Sequence, residues 1–569
     1  MQLYIVILLG LIIILFLLKG FNLKPHNIEI NDVLLSYEEL LKHAKETAKS
    51  HRICKNKNGY NYLFDRLDEN FDYITDVYKK LNAYSKGQLP LCPASEWLLD
   101  NYYIIEEQYK RLKQNKEKKF FKNLNVLKDG YLKDYPRIFA IALELAVHTD
   151  GKIDEDLLIN FVRAYQSINT LSMAELWALS PAIKIALFEK IRYTCEKIYN
   201  TQLQWKKAEK IKYTDEDSVL NVINQTITSS NILLPSFIER VVNIAKYRGI
   251  NLNPIMDYLE EYLLKFDTCL EDIIKHEHQE QASMQIAMGN SITSLRVNAS
   301  IDWEEVFESL SIVEGILEQD PSNIYSQQDF ETRDYYRHRV EKIAKLLNIS
   351  ESSVARAAVE CSEKGLPDCT ASYHVGYYLS GKGINILLNK LGAKKLFLRD
   401  KYDTPYIYIL PFAAMTIVFS SLVSYASFLY TRNYTISLVI FILSITPLSD
   451  VALSLTNWIV THTVKPDFIP KLEMKYGIPE NKTTMVIVPT ILPDVSRVKE
   501  LISQLEVTYL ANKENNIYFA LVGDFKDYKE ETSPNDQQIV DTALYEISKL
   551  NKKYSRNIFF FLLQKKNIQ

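Results

Sequence analysis

From Asn27 to Leu391 apolar side chains recur with helical spacing, as in Leu34, Leu35, Tyr37, Leu40 and Leu41, and again in Leu158, Phe161, Val162, Tyr165 and Ile168. That period puts them on one stripe of a helix, and the alternation of a half-buried strand is nearly absent. Helix punctuation agrees: Ser350 stands before Glu351 and the run Val354–Val359 as an N-cap, and Asp150-Gly151 breaks one helix from the next. The segment predicts an all-α region. Within it Pro93–Gln108 reads as an amphipathic core helix with acids on one side.

Two long apolar runs follow, Tyr406–Tyr430 and Tyr434–Leu448, separated by a turn at Thr431–Asn433. Another apolar run, Leu3 to Leu18, opens the chain, with no Lys or Arg before it and Lys19 and Lys24 after it. It lacks the basic n-region and small-residue cleavage site of a secretory signal, so it reads as an uncleaved anchor. Arg399 and Lys401 precede the hairpin while Lys465, Lys471 and Lys475 follow it, which places both outer flanks in the cytosol. Ser449–Val464, which carries Asp450, Asn457 and Trp458, either continues the last span or bends into the interface.

After Tyr476 the period changes. Strands at Thr484–Val488, Ile517–Val522 and Ile558–Leu563 alternate with helices at Val495–Tyr509 and Asp536–Leu550. A β-α-β-α-β order predicts a parallel sheet whose strand C-termini form the functional edge. Pro489-Thr490 and Gly523-Asp524 are expected just beyond two of those strands. An ionised Asp524 there accepts from a uracil N–H or a ribose hydroxyl, or else simply begins a loop. The fold class is thus mostly α: an anchor over 1–26, a helical region over 27–400, a membrane hairpin over 401–465, and an α/β domain over 466–569.

Composition narrows the function. The 569 residues have room for roughly three or four domains. Lys+Arg 67 against Asp+Glu 70 leaves a formal charge of -3, no global footprint for nucleic acid. Val340–Arg356 has a helix-turn-helix outline about Asn348, but its second half opens Ser-Glu-Ser-Ser and offers Arg356 alone to meet phosphates within that stretch. Cys54, Cys92, Cys195, Cys269, Cys361 and Cys369 form no CxxC pair and read as buried small hydrophobes in a reducing compartment. His276 and His278 are two apart on a helix and face different ways, and His374 reads as a structural, hydrogen-bonded imidazole. The 37 Tyr and 24 Phe are expected mainly in helix–helix seams.

Several blocks together resemble the N-terminal part of cyclic β-1,2-glucan synthases: Pro93–Gln108, Thr332–Glu341, His374–Leu379, Leu448–Val460 with Asn457-Trp458, Pro470–Thr490 and Gln504–Asp524. They occur in order over nearly the whole chain. The resemblance implies a bacterial inner-membrane enzyme with cytoplasmic soluble regions. Its last domain would be the start of a nucleotide-diphospho-sugar transferase (GT-A type) using UDP-glucose to build the glucan. Pro489, Thr490 and Asp524 would then line the UDP side. The chain stops at Gln569, short of the family's Asp-x-Asp motif and catalytic acid, so no catalytic residue is assigned. A divalent Mg or Mn is expected only of the complete domain, and the chain alone is expected to be inactive, a fragment or one half of a split synthase whose other chain carries the catalytic half. The alternative is a membrane-anchored helical interaction protein.

Overall fold

The computed structural model describes residues 28, 30, 32–55, 59–114, 119–122, 124–211, 215–230, 233–393, 406–463, 468–475, 477–526 and 534–563. The expected anchor over 1–26, the flanking residues Arg399, Lys401 and Lys465, and the last residues 564–569 lie outside that set. The chain divides into two compact units, Met1–Tyr325 with Tyr335–Leu398, and Ser326–Asp334 with Arg399–Gln569.

The first unit is built of helices because its apolar stripes must find one another. Arg137–His148 is buried along almost its whole length and packs against Leu179–Ala208, while Tyr37–Ser50 lies against Glu155–Gln166. Large aromatics fill these seams: Tyr165, Phe139, Phe161 and Phe188 are among the fully buried side chains, as their spread along the sequence predicts. A smaller cluster around Phe237, Val241 and Leu259 forms a second centre under the helices between Ala208 and Leu270. Ser350 caps Glu351–Lys364, accepting from Ser353 N–H at 3.2 Å.

At the Asp150-Gly151 break both residues have positive φ, +54° and +76°. A Cβ on Gly151 would lie 2.2 Å from Ser291 Oγ, so glycine is required for backbone shape and for close approach. The unit also holds a small antiparallel pair that the sequence reading missed: β1 (Ile53–Lys55) with β2 (Asn125–Leu127). Three residues are too few for alternation to register.

The second unit carries the apolar hairpin. Tyr406–Thr431 and Tyr434–Thr463 pack along each other, and both are long and apolar enough to cross a membrane. Ser449–Val464 therefore continues the second helix as far as Thr463 rather than leaving it, despite Pro447 inside. Small residues occupy the seam: Ser420, Ser437, Ala452 and Thr456 are buried, whereas Leu410, Leu422, Leu438 and Leu443 face outward. This is the pattern of apolar helices that pack by close backbone approach. Ser424 Oγ donates to Ser437 O at 2.8 Å and Tyr408 OH to Asn457 Oδ1 at 2.6 Å across the pair. Residues 326–334 join this unit through Glu473 N–H to Gln327 O (2.8 Å) and Lys471 N–H to Thr332 Oγ1 (2.9 Å).

Candidate functional site at the edge of the parallel sheet

β3 (Thr484–Leu492), β4 (Ile517–Phe525) and β5 (Phe559–Leu563) form a parallel sheet in that order. The helices Val495–Ala511 and Asp536–Lys553 make the two crossovers. Parallel strands joined this way wind right-handedly, which sets successive crossovers on the same face when the order runs in one direction. The packing agrees. Leu492 from β3, Phe519 and Leu521 from β4, and Phe559 from β5 bury themselves with Val498, Leu505, Ile539 and Ile547 of the helices. Asp494 starts the first crossover by accepting the Arg497 N–H at 2.9 Å, and the Ser496 hydroxyl, with that bond second, holds its carboxyl below the usual range.

β3 and β4 run further than the sequence suggested, a correction to where the candidate residues sit. Pro489 and Thr490 are inside β3, opposite Val522 and Gly523, and Asp524 is inside β4, opposite Ile491. Proline is admissible because β3 is an edge strand. Thr484 N–H points to the β4 side, donating to Asn516 O, so Pro489, an odd number of residues on, has its nitrogen toward the free side. Gly523 stays in the strand because Leu492 packs over it, where a Cβ would meet Leu492 Cδ1 at 2.3 Å.

Pleating then sorts the three candidates. Pro489 and Asp524 belong to the face away from the helices, and Thr490 belongs to the helix-covered face with Val488 and Leu492. Asp524 is half-buried, with Oδ1 accepting from Phe525 N–H at 2.9 Å. The uncovered face is strongly apolar: Met485, Ile487, Ile491 and Leu562 are exposed, and Tyr518 and Phe560 pair across the strands at 6.0 Å. No other His, Cys, Asp or Glu pair converges with Asp524 among the described residues, so this edge does not by itself fit a divalent cation. What it can do chemically is accept hydrogen bonds through Asp524 beside an apolar floor.

Elsewhere, His374 acts as a structural group. Its Nδ1 accepts the Gly376 N–H at 2.9 Å at the start of Val375–Leu379, and burial pushes its pKa down, opposed by Asp320. His276 and His278 lie on Leu270–Ser300 and join no three-ligand cluster among the described residues. A constellation the sequence reading missed is His43, Glu144 and His148 in the helical unit, whose ligand atoms lie within 4.8 Å of one another. Glu144 and His148 stand one turn apart on one helix face, a readable spacing, but nothing local ties His43 to them.

No family model matches the chain. A sequence relative is the cyclic beta-(1,2)-glucan synthase NdvB of Rhizobium meliloti (strain 1021), 28% identical over 523 residues. The alignment covers 88% of this chain and 18% of the relative, so the chain spans under a fifth of the length of the curated relative it matches. The chain is thus similar to part of that glucan synthase along most of its own length.

Proposed function

We propose that the chain is the opening portion of a membrane glucosyltransferase that makes β-1,2-glucan from UDP-glucose in the bacterial inner membrane. The single observation that carries this is the alignment over 88% of the chain with a cyclic beta-(1,2)-glucan synthase. The parallel β3-β4-β5 sheet supports it, since open α/β sheets bind nucleotides at the C-terminal ends of their strands. In this reading Tyr406–Thr431 and Tyr434–Thr463 cross the bilayer and both soluble regions are cytoplasmic. Asp524 accepts from the uracil or ribose of UDP, Pro489 and Thr490 shape the crevice, and the apolar sheet face receives further protein that supplies the metal ligands and the base. That further protein is the rest of a longer chain or a separate chain; the uncovered face with exposed Ile487 and Ile491 favours such a partner.

Two measurements test the reading. Membranes from cells with and without the locus are given UDP-glucose carrying labelled glucose, and the labelled polymer is digested with a β-1,2-glucanase. Loss of digestible label on deletion supports the proposal; an unchanged yield overturns it. Calorimetric titration of the solubilised chain with UDP should give weak binding, of order 1 mM or about -4 kcal/mol, abolished in Asp524→Ala. Binding indifferent to that change would remove Asp524 from the site.

A further inference from the structure

His43 on Tyr37–Ser50 meets Glu144 and His148 on Arg137–His148. His43 Nε2 is 2.8 Å and His148 Nε2 3.2 Å from the same carboxylate oxygen, Glu144 Oε2. The other oxygen of Glu144 accepts the Tyr131 hydroxyl. His148 Nδ1–H donates to Val33 O at 2.6 Å, which fixes that tautomer and leaves Nε2 turned toward the cluster. A backbone carbonyl behind the non-ligating nitrogen is the usual support of a metal-binding histidine. All three residues, with Tyr131, line a cavity of about 640 Å³ whose other walls include Val33, Leu35, Leu143 and Val147.

Two imidazole nitrogens and one carboxylate oxygen on a cavity wall are the ligand set of a divalent ion with one open position. Zinc takes that set at about 2.0–2.2 Å per bond. Magnesium and calcium, which want oxygen alone, do not suit it. Without an ion, protons hold the donors together. His148, His43 and the Tyr131 hydroxyl all converge on the Glu144 carboxylate. A cation of charge two would replace those protons at the same focus.

We propose that His43, Glu144 and His148 bind a zinc-class divalent cation, clamping Tyr37–Ser50 to Arg137–His148 and leaving the fourth coordination position open to the cavity. The site lies in the helical unit and is independent of the glucosyltransferase reading.

The test uses the full chain in detergent, stripped with EDTA and titrated with ZnCl2 by calorimetry. One equivalent at micromolar affinity or tighter, of order -8 kcal/mol, is expected. His43→Gln and Glu144→Gln should each weaken it at least about 10-fold, while His276→Gln with His278→Gln leaves it unchanged. No binding at about 100 times that concentration, binding that survives both single variants, or loss in the double variant overturns the site. Should a variant fail to fold, X-ray absorption of zinc-loaded wild type decides. A shell of two imidazoles with carboxylate oxygen supports the site, and sulfur ligation by the exposed Cys269 overturns it.

Discussion

Removing Glu189 should unfold the helical unit sooner than removing both Glu189 and the buried Arg66 it holds. Glu189 Oε1 accepts from Arg66 Nη2 at 2.6 Å and from the less buried Arg192 Nε at 3.2 Å, and Oε2 from Arg66 Nε at 2.9 Å and Asn70 Nδ2 at 2.6 Å. The Glu189 side chain is 0% exposed and that of Arg66 7%. At 2.6 Å and an effective dielectric near 20 the attraction is about 6 kcal/mol, most of it offset by taking both charges out of water. Glu189→Leu keeps the cost of burying Arg66 and deletes the attraction, so it should destabilise by about 3–5 kcal/mol. At roughly 2 °C per kcal/mol for a unit of this size, the melting point falls by about 6–10 °C. Arg66→Met added to Glu189→Leu should recover most of that, leaving about 1–2 kcal/mol from the Asn70 amide and the Arg192 guanidinium that have lost their acceptor. Thermal melts of the solubilised chain by tryptophan fluorescence give the shifts, and amide exchange over Gly59–Lys86 shows whether the loss is local. A single variant within about 1 kcal/mol of wild type, or a double variant worse than the single, refutes the reasoning.

Three further outcomes are expected. Burial pulls the His51 pKa from 6.5 down to about 4, so the unfolded chain takes up a proton below 6.5 that the folded one refuses until about pH 4. Stability should therefore fall by roughly 3 kcal/mol as the pH drops through that window, and His51→Gln should flatten the slope in denaturant melts run at successive pH values. Gly151→Ala should cost about 2–4 kcal/mol, from left-handed backbone strain and the Ser291 clash, and Ser291→Ala should return part of it in a double-mutant cycle; full additivity would mean the two do not touch. Asp494→Ala should raise amide exchange in the first turn of Val495–Ala511, with unchanged exchange there excluding the cap.

The periodic elements were legible and the exceptions to local rules were not. Strand and helix starts after Thr484 follow from Val/Ile runs and an apolar stripe, and the structure begins β3, β4 and both crossovers at the predicted residues. Strand ends were misplaced because Pro489 and Gly523-Asp524 are turn signals in sequence. Whether a proline or glycine ends a strand depends on a free edge and on Leu492 packing over the glycine, which are tertiary facts. That Thr490 and Asp524 lie on opposite faces follows from pleating once the register Thr490↔Gly523 is known. Glu189 and Arg66 look in sequence like members of solvated helix faces, and they are buried because they found each other across 123 residues. His43 was missed for the same reason, 101 residues from Glu144.

The proline in β3 also governs what could join that sheet. A strand arriving at the free side would find donors at Met485, Ile487 and Ile491 but a gap at Pro489, so its ladder would be broken in the middle. Promiscuous strand addition, the ordinary hazard of an exposed apolar border, is thereby discouraged. A legitimate neighbour must be one whose own sequence tolerates a missed rung at that position, which makes a single imino acid a selector of alignment.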